Sequence, residues 1–221
     1  MKVDAVIVAA GASTRFGQDK LLTELCGRTV LERSVAVYAS SETIGGIVLV
    51  VAPGREAELK AAVEAAAGGK LAGVVAGGER RRDSVEAGLR ACRSRYVAVH
   101  DGARPLVTRE LVERVVAGAE GKPGAIAAVP VTDSIKEVRD GVIVGHPERE
   151  SLWAAQTPQV VLRQAWLDAA GMSDNDETDD AAMLARLGLA CVVVEGDAEN
   201  IKITRPLDLE VARAILRARG I

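Results

Sequence analysis

Aromatic side chains are scarce: two tryptophans, two tyrosines and one phenylalanine make up 2% of 221 residues. Proteins that bind single-stranded nucleic acid stack bases on aromatic rings, and this chain has almost none to offer. Charge of one sign is lacking too, since 28 basic residues face 31 acidic ones and the net charge is −3. With no global positive field to hold a nucleic-acid backbone, any anion must be met by a local cluster. Nucleic acid is therefore not an expected partner. Cysteine is limited to Cys26, Cys92 and Cys191, far apart and without a C-x-x-C pair. That argues against a disulfide framework or a zinc cluster and points to a reducing cytoplasm. No run reaches the ~18 apolar residues that a membrane span needs. The first apolar run is interrupted by Asp4 and soon ended by Gly11 and Arg15, which is not a signal-peptide pattern.

What is present is ordinary for a folded protein, with 48% hydrophobic and 27% charged residues. A chain of this length most simply forms a single domain, here 1–221. Short valine-rich runs occur at Val3–Ala9, Ile47–Val51, Gly73–Ala76, Tyr96–His100, Ala125–Val131 and Ala190–Glu195. They are mostly continuous, as parallel strands covered on both faces are. Helical patterns lie between them, near Thr29–Ser40, Arg55–Ala67, Arg81–Arg93 and Thr108–Ala119, and later near Leu162–Ala170 and Thr178–Leu187. This alternation implies an α/β fold with a parallel or mixed sheet between two helical layers. Thr204 or Arg205 is expected to cap a last helix, with Pro206 in its first turn and Asp208 at its positive end.

One segment, at about 132–152, breaks the rhythm. In "SIKEVRDGVIVG" two short strand-like runs flank Asp140-Gly141, a hairpin signal. This β-arm is too thin to bury its own faces, so it is expected to pack on a second subunit of a two-fold homodimer.

Four loops carry the candidate chemistry. The first, "AAGASTRFGQDKLL" from Ala9, follows a buried strand with small residues and then sets down Arg15 and Lys20. Its backbone N–H groups and two cations suit an anion. It lacks both the Lys-Ser/Thr ending of a P-loop and a clean G-x-G-x-x-G, and it reads equally well as a solvated loop. In the second, "VAVHDGARP", Asp101 sits at the carboxyl end of a strand, where open α/β sheets bind ligands. It could hold a divalent cation or a sugar hydroxyl, and Arg104 could clamp a phosphate. His100 reads as a strand residue with a satisfied hydrogen bond rather than a base. In the third, "AGGERRRDSVEAGL", the Gly77-Gly78 backbone and Ser84 could read a base edge, whereas Arg80–Arg82 read as exposed arginines at a helix start. In the fourth, "ENIKITRP", Lys202 lies in an expected short strand, opposite Ile201 and Ile203, facing either solvent or a pocket. The acidic "SDNDETDDAA" lacks the glycine and final glutamate of an EF-hand and reads as a helix start, with Asp176 to Asp180 at its positive end. No Ser–His–Asp set or cysteine–base pair is evident. Phosphate-binding cations, one carboxylate and a base-reading turn together fit phosphoryl or nucleotidyl transfer, where positioning and charge stabilisation do the catalysis.

The first loop resembles the signature of the Rossmann-like nucleotidyltransferases, molybdopterin cofactor enzymes among them. Combined with "GGERRRDSV", "VHDGARP", "TPQ" with "TDDA", and "NIKITRPLDL" in this order, the chain resembles the 2-C-methyl-D-erythritol 4-phosphate cytidylyltransferase family over nearly its whole length. The resemblance implies a Rossmann-like three-layer α/β/α fold with a mostly parallel sheet. It implies transfer of the cytidylyl group of CTP to methylerythritol 4-phosphate with Mg²⁺, in the non-mevalonate isoprenoid pathway. By resemblance, Arg15 and Lys20 stabilise charge on the transferring and leaving phosphates. Ala9, Ala10, Gly11, Gly78, Glu79 and Ser84 surround the cytidine, and Asp101 and Gly102 lie by the ribose and the metal-bound phosphates. Arg104, Ser134, Arg149 and Thr157 hold the acceptor, and Lys202 bridges both substrates. The arm swaps across the dimer, so Ser134 and Arg149 serve the neighbour. A cytidylyltransferase for another polyol phosphate, such as ribitol 5-phosphate, and a non-catalytic nucleotide-binding module are the rival readings.

Overall fold

The computed structural model describes residues 1–11, 19–172 and 177–221. Arg15 and Asp176 lie outside the described residues. The chain opens with β1 (Val3–Ala9), a small ribbon of β2 (Glu24–Leu25) and β3 (Arg28–Thr29), and α1 (Val30–Ser40). Three strand–helix units follow: β4 (Ile44–Val51) with α2 (Glu56–Val63), β5 (Leu71–Ala76) with α3 (Arg81–Ala91), and β6 (Tyr96–Asp101) with α4 (Arg109–Gly118). Next come β7 (Gly124–Pro130), a hairpin of β8 (Glu137–Arg139) and β9 (Val142–Gly145), and β10 (Trp153–Leu162). The chain ends with α5 (Arg163–Met172), α6 (Asp180–Ala185), β11 (Val192–Glu195) and α7 (Pro206–Ala218).

Seven strands form one sheet in the order β11-β7-β10-β6-β1-β4-β5. All its pairings are parallel except those of β10, which runs antiparallel to both β6 and β7. Side chains alternate across the sheet, and the two faces carry separate cores. Ala5, Ile7 and Ala9 of β1 join Val35 and Tyr38 of α1, Leu59 of α2 and Val112 of α4. Val6 points the other way, to Val85 and Leu89 of α3, Trp166 of α5 and Met183 of α6. Both faces of the strands are therefore covered, which is why their sequences run apolar without alternation. Burying each such valine or leucine contributes about 1.5–3 kcal/mol relative to leaving it in water. Helix α3 lies so close to the sheet that a Cβ on Gly88 would come within 2.5 Å of Val6 Cγ1.

Caps fix where the helices start. Thr29 Oγ1 accepts the Glu32 N–H at 3.1 Å, and the Glu32 carboxylate accepts the Thr29 N–H at 2.7 Å, a reciprocal capping box at α1. At α7, Arg205 is the N-cap residue and Pro206 takes the first turn. The Asp208 carboxylate reaches back to accept the N–H groups of Thr204 and Arg205, each at 2.7 Å. That clamp sets the direction of the chain leaving Lys202.

One strand has no counterpart in the sequence pattern and one expectation needs correction. In β10, Gln156, Pro158 and Gln159 interrupt the apolar run, and its ladder to β7 breaks between Ala155 and Gln159. Residues 201–204 form no strand; Ile203 donates its N–H to Ala103 O at 2.8 Å without a continuing ladder. The hairpin appears where its turn signal lies, with Asp140 and Gly141 both at positive φ (51° and 79°). Among the described residues, strands β8 and β9 pair only with each other. Val138, Val142, Ile143 and Val144 are all more than half exposed.

Candidate functional site

The parallel strands end in a crevice where β1 and β6 lie side by side, and the described parts of the four loops converge there. Asp101, the last residue of β6, is 9% exposed and forms its centre. Lys202 Nζ approaches its Oδ2 at 2.8 Å, Arg104 Nε approaches the same oxygen at 3.8 Å, and Arg81 Nε lies 3.6 Å from Oδ1. Burial alone would raise the carboxyl pKa, but Lys202, Arg81 and Arg104 outweigh it and hold it well below the usual carboxylate range. Asp101 is thus a fixed anion at neutral pH.

Two cavities share this cluster as a wall. The larger, about 340 Å³, is lined on the strand side by Ala9, Ala10 and Gly11, on the helix side by Gly78, Glu79 and Ser84, and by Lys20. The second, about 270 Å³, is lined by Arg104, Gln156, Thr157 and Asp179. Asp101, Arg81 and Lys202 line both. Close backbone approach shapes the first: a Cβ on Gly77 would come within 2.6 Å of both Ala10 Cβ and Ser84 Oγ. Ser84 Oγ accepts the Gly78 N–H at 3.2 Å and has the Arg80 carbonyl at 3.2 Å as an acceptor for its own proton.

Behind Asp101 runs a chain of hydrogen bonds. His100 Nε2 lies 3.2 Å from the Arg104 carbonyl, which can only accept, so Nε2 carries the proton. Nδ1 therefore accepts the Thr157 hydroxyl at 2.9 Å, and Thr157 Oγ1 in turn accepts the Asp101 N–H at 3.1 Å. Thr157 lies within the break of the β10–β7 ladder, between Ala155 and Gln159. Arg104 Nη1 donates to the Asn200 carbonyl at 2.7 Å, and Asn200 Nδ2 donates to the Thr157 carbonyl at 2.9 Å. Asn200, fully buried, thus ties the Lys202 loop to the second cavity.

The expected residues are distributed unevenly. Ala9, Ala10, Gly11, Lys20, Gly78, Glu79, Ser84, Asp101 and Lys202 surround the first cavity, and Asp101, Arg104, Thr157 and Lys202 the second. Gly102 lies beneath the wall, its N–H donated to Val8 O and its carbonyl accepting from Ser34. Ser134 and Arg149 are exposed near the hairpin and line neither cavity. The arginine triplet departs from its expected solvent exposure. Arg81 is ion-paired with Asp180 at 2.8 Å, and Arg82 is 5% exposed, donating to the Ala170 carbonyl at 2.9 Å. Asp179 caps α6 through the Ala182 N–H, at the helix start expected there. Asp180, in the first turn, is buried and takes Arg81 as its partner. Among the described residues, no three His, Cys, Asp or Glu side chains gather as a metal site.

His100 is fully buried, and burial pushes its pKa from 6.5 down to about 3, with Asp101 opposing the shift. The folded value lies below the unfolded one, so stability from the neutral ring is complete above pH 6.5 and declines as pH falls toward 3. The expected slope is about 1.4 kcal/mol per pH unit for this one proton. NMR titration of the folded protein should find the His100 ring still neutral at pH ~5; a folded ring that titrates near its unperturbed pKa would contradict the assignment.

The likeness to known proteins spans the chain. A family model described as 2-C-methyl-D-erythritol 4-phosphate cytidylyltransferase matches residues 3–218. Proteins of that name from Streptomyces coelicolor and Bacillus licheniformis are 42% and 40% identical, covering 98% and 99% of this chain and 86% and 97% of their own lengths. A 4-diphosphocytidyl-2C-methyl-D-erythritol synthase structure from Anaerococcus prevotii superposes with a TM-score of 0.84 at 28% identity, covering 98% of each chain. The Thermus thermophilus cytidylyltransferase structure gives 0.79 at 31% identity, covering 98% of this chain and 100% of its own.

Proposed function

The chain belongs to the 2-C-methyl-D-erythritol 4-phosphate cytidylyltransferase family, and on that premise we propose that its two adjoining cavities hold the two substrates. The reaction transfers the cytidylyl group of CTP to 2-C-methyl-D-erythritol 4-phosphate, giving 4-diphosphocytidyl-2-C-methyl-D-erythritol and diphosphate in isoprenoid biosynthesis. CTP occupies the larger cavity and the acceptor phosphate the smaller. The observation that carries this reading is the shared wall: Asp101, Arg81 and Lys202 border both spaces.

An acceptor phosphate oxygen attacks the α-phosphorus, its new P–O bond forms, and the bond from the α-phosphorus to the β-bridging oxygen breaks to release diphosphate. The nucleophile is a phosphate monoester with a second pKa of about 6, so at neutral pH it is mostly dianionic and needs no base. Buried, neutral His100 is in keeping with that. Lys202 contacts both substrates from the wall, and Arg15 and Lys20 oppose the charge growing on the leaving diphosphate. Arg104 and Thr157 bind the acceptor, and Ala9, Ala10, Gly11, Gly78 and Glu79 enclose the nucleotide. Asp101 would stand beside a divalent cation such as Mg²⁺, which would neutralise triphosphate charge. The Ser84 proton is committed to a backbone carbonyl, leaving its oxygen as an acceptor. An acceptor there suits the N4 amino group of cytosine and opposes O4 of uracil. Ser134 and Arg149 complete the acceptor site of a second subunit across a homodimer, with the apolar faces of β8 and β9 covered by that subunit. The three cysteines are free thiols, as a cytoplasmic enzyme keeps them.

Diphosphate release is the test. It should require both CTP and methylerythritol phosphate, and fall steeply with ribitol 5-phosphate as acceptor. Ser84→Ala should narrow the preference for CTP over UTP by about 10-fold, the worth of one neutral hydrogen bond. Equal turnover of the two acceptors would overturn the acceptor-site reading, and an unchanged CTP/UTP ratio would remove Ser84 from base recognition.

A further inference from the structure

Arg81 has carboxylate partners in two distant parts of the chain. Its Nη2 donates to Asp180 Oδ2 at 2.8 Å, and its Nε stands 3.6 Å from Asp101 Oδ1. Asp180 is 1% exposed and rigidly held: its other oxygen accepts the Trp166 indole N–H at 3.1 Å, and Gln159 Oε1 accepts its backbone N–H at 2.9 Å. On Asp101 the charges are divided by oxygen. Lys202 and Arg104 both approach Oδ2, whereas Arg81 approaches Oδ1. Without Arg81, two cations pull the carboxylate from one side and its plane is free to turn about the Cβ–Cγ bond.

We propose that Arg81 is a positioning residue for cytidylyl transfer: anchored on Asp180, it fixes the Asp101 carboxylate, and through it Lys202, in the wall between the two cavities. This rests on Asp101 being the group that stands between the substrates. The planar guanidinium suits the task because its divergent N–H groups reach two carboxylates at once, which a lysine ammonium cannot do with the same geometry. The linkage also joins the start of α6 to the site, although Asp180 itself lines neither cavity.

A purely structural role, neutralising buried Asp180, makes a different prediction, and a double variant separates the two. Arg81→Gln alone leaves a buried carboxylate without its cation, so both thermal midpoint and kcat should fall. In Arg81→Gln/Asp180→Asn the buried pair is neutral again, and the thermal midpoint should recover toward wild type. The kcat should stay depressed by about 10- to 100-fold, with KM values changed by less than about threefold. Wild-type kcat in the double variant would overturn the proposal. Arg81→Lys provides the decision if the double variant does not fold: it keeps the charge beside Asp180, and near-normal stability with reduced kcat is expected, whereas wild-type kcat again refutes the role. Asp101→Asn, run alongside, separates the underlying reading. If it retains full kcat, Asp101 is not the group between the substrates. If it is impaired while the double variant is not, the inference about Arg81 alone falls.

Discussion

Lys20→Ala should lower kcat by ~10²–10³ while changing KM for either substrate far less. The expectation comes from how the residue is mounted. Asp19 is pinned by Arg55 Nη1 at 2.5 Å, and its carboxylate also accepts the Leu21 N–H at 3.0 Å. Leu21 is 3% exposed, and its carbonyl accepts the Leu31 N–H at 3.0 Å, the first turn of α1. Lys20 is held between two fixed neighbours and lines the larger cavity. A cation placed where charge grows during the reaction binds the transition state more strongly than the ground state, and its loss appears in kcat. Steady-state kinetics with each substrate varied in turn provides the check. A variant with wild-type kcat would remove Lys20 from the chemistry.

Arg149→Ala should impair use of methylerythritol phosphate and leave CTP binding nearly unchanged. Among the described residues, Arg149 is exposed, reaches the Thr132 carbonyl at 3.4 Å, and lines neither cavity. Opposite a dianionic phosphate it would supply hydrogen bonds worth about 1.5–3 kcal/mol, so its removal should cost roughly 10- to 150-fold in kcat/KM for the acceptor. Calorimetric titration with CTP should give a Kd within about threefold of wild type. A variant whose CTP affinity falls as far as its acceptor turnover would place Arg149 elsewhere.

The parts of the fold legible in the sequence are those where one physical demand dominates. Val3–Ala9 runs apolar because both faces of β1 are covered, and Asp140-Gly141 marks its turn because both residues adopt positive φ. Strand β10 was hidden because its bulge serves the site: Gln156 donates to the Asp197 carbonyl and Thr157 bonds His100, so polar residues stand where a strand pattern needs apolar ones. Arg81 was hidden for another reason. Three successive arginines look alike whether solvated or paired, and the partner that distinguishes Arg81 lies 99 residues onward. Lys202 was half legible. The expected strand is absent, yet Ile203 beside Lys202 is fully buried, and the folded chain brings Asp101 to face Lys202 at 2.8 Å. Ser134 and Arg149 carry no local pattern of their own, and their roles rest on the family resemblance and on the uncovered arm.

In the proposed enzyme, one transfer site is built from the cavities of one subunit and the arm of another. The most direct measurement mixes two impaired proteins, Lys20→Ala and Arg149→Ala, under conditions that exchange subunits. In a mixed dimer, one site combines the intact cavities of the Arg149→Ala subunit with the intact arm of the Lys20→Ala subunit. The other site carries both defects. Activity should therefore return to about half of wild type per mixed dimer, by site counting in a two-fold assembly. If mixed dimers form, as mass spectrometry of differently tagged chains would show, and activity stays at the level of the two parents, each Arg149 serves its own subunit and the shared-site account is wrong.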